Sequence, residues 1–455
     1  MDYWGAVDTI GTHNIKSSIM DNNLIGIIGA GRSGVASCKL ALKFGYKVIL
    51  SDISKDKRID VDKNSNLFIE RGEHSDKLLK CDMLIISPGI PLEVDIIQRA
   101  IKNDIPIIGE IEFASWFVKS DILAITGSNG KSTTCMMLHN ILLEAGVKSF
   151  LGGNIGVAFS ENLLEESNLN ISNSVHVLEL SSFQIETLDK FQSKISCILN
   201  ISEDHLDRYK NMDSYINAKL RIADFSDKIV YDFNDLILKD KLREIPNAEK
   251  INHKDSKYKI VGESIYCNNV PIISLSETSF IGHHNLLNVL SAATIANLYG
   301  IDDRYIVSSI KKIKPLPHRL EFVESIGLIK CYNDSKSTNI ESTIKALESF
   351  DKNVILILGG LSKGNDFTEL ASSLKSVSRV YCYGKSGEQI LDQLKNNIDI
   401  KYFNKFSDCV NQSIKEASEN ENILLSPACA SFDQFSDFEE RGNAFKEIVL
   451  RYLDV

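Results

Sequence analysis

The stretch that most constrains this chain runs from Ile122 to Met137, ILAITGSNGKSTTCMM. Four apolar residues and Thr126 predict a short buried strand, which breaks at Gly127-Ser128-Asn129-Gly130. Lys131, Ser132 and Thr133 follow at once, and Met136, Met137, Leu138, Ile141 and Leu142 recur at helical spacing. A strand, a glycine turn and a helix N-terminus in that order make an anion cradle. Backbone N–H groups point into the turn, and the helix dipole adds partial positive charge. Lys131 offers a mobile cation for the β- and γ-phosphates of a nucleotide, and Ser132 or Thr133 a hydroxyl ligand for Mg²⁺. The loop is a tight G-x-x-G-K-S-T, with Ile125 where the longer phosphate loop has its first glycine. A chance glycine turn before a helix is the plainer alternative, but GKST straight after an apolar strand favours a nucleoside triphosphate site.

Downstream, Gly152-Gly153-Asn154-Ile155-Gly156 reads as a turn, and Val175 to Leu180 as a strand ending in Glu179-Leu180-Ser181-Ser182. A carboxylate at a strand end beside a phosphate loop is well placed to hold Mg²⁺, so Glu179 is favoured as a ligand over an edge-strand acid. A strand from Ile195 to Leu199 runs into Glu203-Asp204-His205-Leu206-Asp207, three acids and a histidine where α/β sheets bind ligands. His205 is evenly balanced between a metal role and a structural one. Lys219, in the helical stretch Tyr215 to Ala223, reads by periodicity as a solvated lysine. Residues 228–280 read as short strands and turns, and the adjacent His283 and His284 have no histidine partner at i+4 to make a metal pair.

Upstream, Leu24 to Ala30 is an apolar strand, followed by Gly29-Ala30-Gly31-Arg32-Ser33-Gly34, a helix to Phe44, and a strand Lys47 to Leu50 ending at Ser51-Asp52. That β-α-β unit fits the dinucleotide fingerprint, and more broadly places a phosphate-bearing ligand on the helix N-terminus. Met83 to Ser87 adds another strand, so the first domain is expected to be a small parallel sheet. At the other end, Pro315 and Pro317 mark a change of domain before His318-Arg319. Three polar loops then each follow an apolar strand: Asn333 to Asn339, Gly359 to Gly364, and Ser426 to Asp433. They are expected to share one sheet edge.

At 455 residues the chain is too long for one core, and about three domains are expected. A net charge of −10 argues against a nucleic-acid partner. Nine scattered cysteines without a C-x-x-C pair point to free thiols in a reducing compartment, hence the cytoplasm. No apolar run approaches the roughly 18 residues of a membrane span. Residues 1–21 lack the basic start and apolar core of a secretory signal and read as a loose extension.

TGSNGKST at 126–133, GGNIG at 152–156, LELSSFQ at 178–184, NISEDHLDRY at 200–209 and PHR at 317–319 together resemble the Mur ligases, ATP-dependent amide-forming enzymes of peptidoglycan synthesis. NDSKSTN at 333–339 and LSPACASFDQF at 425–435 resemble the member that adds D-glutamate to UDP-N-acetylmuramoyl-L-alanine. The landmarks run in the family's order from about Ile25 to Gly442. The resemblance implies an α/β chain of three domains: a Rossmann-like parallel sheet at 1–112, a central P-loop ATPase-like domain at 113–315, and a Rossmann-like acceptor domain at 316–455. It gives the first glycine loop to the UDP substrate, through Gly31, Arg32, Ser33 and Asp52, with Asn154 and His205 contributing.

The resemblance further implies that Gly127 to Thr133, Asn285, Asn288, Arg319 and Asp334 bind ATP. Two Mg²⁺ ions are implied, on Ser132, Glu179, His205 and Lys219, the last carried as a carbamate. That overturns the solvated reading of Lys219. Lys336, Thr338, Lys363, Ser431, Phe432 and Phe438 are implied in D-glutamate binding, where two cations suit two carboxylates. Catalysis is implied to rest on Lys131, His205, Lys219, Arg319 and Lys336, in a monomer working on small molecules. Three alternatives are weighed against this. An NAD-dependent dehydrogenase explains GAGRSG and Asp52 but leaves GSNGKST and NDSKSTN without a purpose. A folylpolyglutamate synthase-like ligase shares the phosphate loop. A nucleotide-binding scaffold without activity explains least, given so many charged loops.

Overall fold

A computed structural model of the chain describes residues 23–169, 173–203, 209–278, 280–314, 316–362 and 364–453. It divides into two compact units, one running up to Lys259 and adding Leu290–Ser309, the other made of Ile260–Val289 and the chain from Ile310 onward. The 1–21 extension lies outside the described residues.

The first unit opens with β1 (Leu24–Ile28), α1 (Arg32–Lys43), β2 (Lys47–Asp52), β3 (Leu67–Arg71), β4 (Met83–Ile86), α2 (Asp95–Lys102) and β5 (Ile107–Gly109). These strands pair in the order β3-β2-β1-β4-β5, every pair parallel. The apolar runs that lack alternation, such as MLII in β4, are buried along their whole length, as strands covered on both faces must be. A short helix, α3 (Glu110–Ser115), leads into a second sheet. Its elements are β6 (Asp121–Thr126), α4 (Lys131–Glu144), β7 (Lys148–Gly153), α5 (Phe159–Asn168), β8 (Ser174–Glu179), α6 (Ser182–Glu186) and β9 (Ile195–Ile198). They continue through α7 (Met212–Leu220), β10 (Ile229–Asp232), α8 (Leu236–Leu242) and β11 (Ala248–Ile251).

This sheet is also all parallel, in the order β11-β10-β9-β6-β8-β7. The chain winds outward from β6 in both directions, which makes the carboxyl end of β6 the switch point where such sheets bind ligands. One hydrophobic core runs through both sheets, from Ile25 and Ile27 to Leu238 and Leu242. The join is aromatic: Phe44 stacks on Phe117 at 4.1 Å between ring centroids, and Phe113 meets Phe117 edge-on at 5.1 Å. The 228–280 stretch is not only strands and turns, because it contains α8. Asp235 caps that helix, accepting from the amides of Ile237 and Leu238 at 3.0 Å each.

The chain next runs through β12 (Tyr258–Val261), β13 (Ser264–Cys267), β14 (Val270–Ser274), α9 (His284–Tyr299) and α10 (Asp303–Lys312). The second unit's main sheet contains β15 (Glu321–Ile326), β16 (Ile329–Asn333), β17 (Val354–Gly359), β18 (Val377–Tyr383), β19 (Ile400–Phe403) and β20 (Asn422–Leu425). Its helices are α11 (Ile340–Leu347), α12 (Gly387–Leu394), α13 (Phe406–Glu416) and α14 (Phe438–Arg451). The order is β15-β16-β20-β17-β18-β19, parallel except for the edge strand β15, which turns back on β16 as a hairpin. Because β16, β20 and β17 are parallel neighbours, the loops that leave them emerge at one edge, as the three polar stretches predict.

Candidate active site

The turn after β6 needs its glycines. Gly127 has φ +147° and Gly130 +85°, and a Cβ on Gly127 would stand 3.0 Å from the Cβ of Leu199. Asn200, just past β9, grips the turn: its carbonyl accepts from Ser128 N at 3.0 Å and its Oδ1 from Asn129 N at 2.9 Å. Its Nδ2 donates to Asn129 O at 3.1 Å. Ser128 Oγ donates to Ser202 O, accepts from Ser202 N and lies 3.0 Å from the Tyr215 hydroxyl. The loop is therefore fixed from outside itself, by Asn200 and by Tyr215 on α7. Neither residue stood out in the sequence, although an asparagine at a strand's carboxyl end facing a glycine turn is a readable signal.

Lys131 Nζ donates to Gly127 O and to Ser128 O, both at 2.7 Å. Lys219 Nζ donates to the same Gly127 carbonyl at 2.9 Å and lies 4.7 Å from the centre of the Tyr215 ring. Lys219 is 2% exposed, so the solvated reading of it fails. Periodicity could not show this, because the helix face that carries it packs on the loop instead of facing water. Ser132 is fully buried in the first turn of α4.

Glu179 ends β8 beside Ile125 of β6. Asn154 donates through Nδ2 to Glu179 Oε1 and through its amide to Glu179 O, both at 2.8 Å. Gly153 makes this approach possible: a Cβ there would stand 2.4 Å from Glu179 O, at φ +93°. Two stretches that the sequence presented separately thus meet as a carboxylate and the amide that orients it. His205 lies outside the described residues.

In the first sheet, Gly29 turns at φ +93° and α1 begins at Arg32. Asp52 is buried and accepts from Ala30 N at 2.7 Å, Ser54 N at 2.9 Å and Lys57 Nζ at 3.1 Å. Burial pushes its carboxyl upward, but the Ser54 and Ala30 amides and the Lys57 ammonium together hold it below the ordinary value. The carboxylate shapes the glycine turn that leads to Gly31, Arg32 and Ser33.

In the second unit, Asn285 and Asn288 lie one turn apart on α9, Asn288 Nδ2 donating to Asn285 Oδ1 at 3.0 Å. Beside them His284 is held down to about 4, first by burial and then by the charges of Lys345 and Arg319. Asp334 is buried and accepts from Leu320 N at 3.1 Å, Ser337 Oγ at 2.5 Å and Ser426 Oγ at 2.9 Å. Burial dominates these bonds and raises its carboxyl to about 6. Lys336 Nζ lies 5.0 Å from the centre of the Phe438 ring. Ser431 is buried while Phe432 is 67% exposed, and Thr338 is partly buried. The loops are sewn together: Ala428 N bonds Ser337 O at 3.0 Å, and Leu361 and Ala430 exchange both backbone bonds at 2.8 and 3.1 Å. Lys363 lies outside the described residues. Arg441 of α14 reaches all three loops and was not singled out in the sequence.

Three family models match in chain order: the Mur ligase MurD-like N-terminal domain at residues 23–109, the Mur ligase middle domain at 125–296, and the Mur ligase glutamate ligase domain at 318–429. The chain belongs to the Mur ligase family. Within it, the similar relatives carry one name, UDP-N-acetylmuramoylalanine–D-glutamate ligase. Those of Christiangramia forsetii and a Thermoanaerobacter species are each 36% identical over 93% of this chain and 98% and 97% of their own length. The fold matches Thermotoga maritima UDP-N-acetylmuramate-alanine ligase, at TM-score 0.64 and 18% identity over 95% of this chain and all of that one. It also matches Yersinia pestis folylpolyglutamate synthase/dihydrofolate synthase, at TM-score 0.55 and 15% identity over 76% of this chain and 92% of that one.

Mur ligases are ATP-dependent and use Mg²⁺. The donors here suit that ion: a hydroxyl at Ser132 and a carboxylate at Glu179 are hard oxygen ligands near the phosphate loop. Among the described residues no group of three or more His, Cys, Asp or Glu gathers at one point. Mg²⁺ needs none, since it commonly takes one or two carboxylates and completes its shell with phosphates and water. No helix among the described residues is long and apolar enough to cross a membrane.

Proposed function

We propose that this chain joins D-glutamate to UDP-N-acetylmuramoyl-L-alanine with cleavage of ATP to ADP and phosphate, in peptidoglycan synthesis. What carries this is the likeness along 93% of the chain to relatives named for that reaction. The γ-phosphoryl group passes to the alanine carboxylate, giving an acyl phosphate and ADP. The D-glutamate amine then attacks the acyl carbon, loses a proton, and the C–O bond to phosphate breaks as the amide forms.

The roles we assign rest on the family resemblance, and the placement of the described residues supports them. The amides of Gly127 to Thr133 cradle the ATP phosphates, and Lys131 swings from the loop carbonyls onto them. Mg²⁺ neutralises charge on the phosphate oxygens; Ser132, Glu179, His205 and a carbamylated Lys219 hold two ions. The carbamate forms when the neutral Lys219 amine adds to CO₂ and sheds a proton, which turns a cation into an anion. Asn154, oriented by Glu179, holds the substrate. Gly31, Arg32 and Ser33 bind its UDP part on a turn fixed by Asp52. Asn285, Asn288, Arg319 and Asp334 bind ATP. Lys336, Thr338, Lys363, Ser431, Phe432 and Phe438 receive D-glutamate. We place the domain boundaries at 1–112, 113–315 and 316–455, and the enzyme as a monomer in the cytoplasm.

The test is phosphate release from ATP with UDP-N-acetylmuramoyl-L-alanine, with and without D-glutamate. Release must require both. Turnover of L-glutamate on a folate acceptor instead would give the chain to the folylpolyglutamate synthase-like alternative, whose fold it shares.

A further inference from the structure

Arg441 lies in the first turn of α14, four residues after the capping Asp437, and its side chain is fully buried. Both facts are unfavourable for a cation. The amino end of a helix carries partial positive charge, and burial strips the guanidinium of water. Arginines buried for packing usually bring a carboxylate with them, and here the partners are neutral. Nε donates to Ser335 Oγ at 2.9 Å and Nη2 to Ser335 O at 2.7 Å. Nη1 donates to Cys429 O at 3.0 Å, Tyr383 Oη at 3.3 Å and Gly359 O at 3.5 Å. Among the described residues no carboxylate bonds to it.

The partners are not scattered. Ser335, Gly359 and Cys429 stand at the carboxyl ends of β16, β17 and β20, the edge where the three polar loops emerge. Ser335 precedes Lys336, and Ser335 Oγ also donates to Phe438 O at 2.8 Å. Gly360 is glycine because a Cβ would stand 2.2 Å from Ala430 O and 3.1 Å from Arg441 Nη1. A group that spans three loops this tightly sets their register, and among the described residues no carboxylate bonds to it; Asp433, at the end of the third loop, is the acid whose charge reaches the same Tyr383 and Cys429 groups.

We propose that Arg441 is a positioning residue that selects a doubly anionic acceptor: it fixes the three loops, and its charge, bonded only to neutral groups among the described residues, favours an acceptor whose side-chain carboxylate settles over them. This rests on the D-glutamate reading. The test compares wild type with Arg441→Lys and Arg441→Gln, using D-glutamate and its neutral isostere D-glutamine as acceptors. Arg441→Lys keeps the charge but not the fork, so the KM for D-glutamate rises about 10-fold while the preference over D-glutamine survives. Arg441→Gln removes the charge, and that preference falls at least about 30-fold, with the KM for ATP little changed. A wild-type-like preference in Arg441→Gln, or a KM for ATP that climbs in step, overturns the proposal and leaves Arg441 as packing. Should Arg441→Gln fail to fold, a folded Arg441→Lys that has lost the preference overturns it equally. If neither variant folds, wild type decides: glutarate must raise its melting temperature and neutral glutaramide must not, or the proposal falls. Wild type that never consumes D-glutamate sinks the functional reading instead.

Discussion

Lys219→Met separates a structural lysine from a functional one, because the two roles move stability and activity differently. The native ammonium is 2% exposed, bonds Gly127 O at 2.9 Å and lies 4.7 Å from the centre of the Tyr215 ring. A hydrogen bond from a charged donor contributes about 1.5–3 kcal/mol, and a desolvated cation–π contact about 2 kcal/mol. Against these stands a desolvation penalty of several kcal/mol for the buried ion. Methionine keeps most of the side-chain volume and removes all three terms, so they nearly cancel. The variant is expected to melt within about 4 °C of wild type. Its phosphate release, however, should fall by at least about 10²-fold if a carbamate there places charge on the reacting oxygens. On carbamylation the nitrogen retains one N–H, so the bond to Gly127 can survive the change of charge. A small carboxylic acid should then partly restore Lys219→Ala by filling the vacated space and charge, and should do nothing for Lys219→Arg, whose guanidinium occupies both. Wild-type rates in Lys219→Arg, or a Met variant whose activity loss merely tracks its unfolding, would refute the reasoning.

Other outcomes follow from the same geometry. Lys131→Ala should abolish phosphate release with the melting temperature nearly unchanged, since it removes the cation proposed to reach the phosphates; measurable turnover removes the residue from that role. Thr338→Ala should raise the KM for D-glutamate several-fold more than the KM for ATP, and parallel rises would take it out of the acceptor pocket. Asp334 and His284 set opposing pH dependences. The folded Asp334 value of about 6 lies above its ordinary 3.8, so the folded state holds the extra proton and stability falls as pH rises between them, by roughly 3 kcal/mol. His284, held at about 4 against an ordinary 6.5, does the reverse over nearly the same window, so stability is lost as pH falls through it. Urea melts from pH 4 to 7 should therefore vary little in wild type from this pair, and gain stability with pH in Asp334→Asn; identical profiles would show that Asp334 does not titrate there.

The parts of the site legible in the sequence are those built by local order. GSNGKST declares a glycine turn and a helix start within a few residues, and the structure places that turn on the central strand of a parallel sheet. The three polar loops of the second unit were legible for a related reason: each follows an apolar run, and parallel strands send such loops to one edge. Even α8 had a local signal, an aspartate at its N-cap, which the short and weakly periodic LILKDKL obscured. The antiparallel β15 was not legible, because a polar edge strand in a hairpin has no apolar run to announce it.

What stayed hidden was charge placed by tertiary burial. Lys219 and Arg441 sit in helical stretches where a charged side chain reads as solvated, and each proves buried against backbone carbonyls: Gly127 for one, Ser335 and Cys429 for the other. Asp334 and Glu179 are the mirror case, carboxylates sunk at strand ends. A buried ion held mainly by neutral groups is poor stabilisation, since the desolvation penalty rivals what the hydrogen bonds return. For Arg441, its persistence beneath three polar loops makes sense if, as proposed, a ligand of opposite charge completes the balance. The free protein should then be least stable where it is most functional. ATP and D-glutamate should each raise the melting temperature beyond what the same ligand does for a variant lacking the matching positive charge, the partly buried Lys131 for ATP (Lys131→Ala) and the buried Arg441 for D-glutamate (Arg441→Gln). Equal shifts in wild type and variant would mean that these charges are settled within the protein and that the ligands owe them nothing.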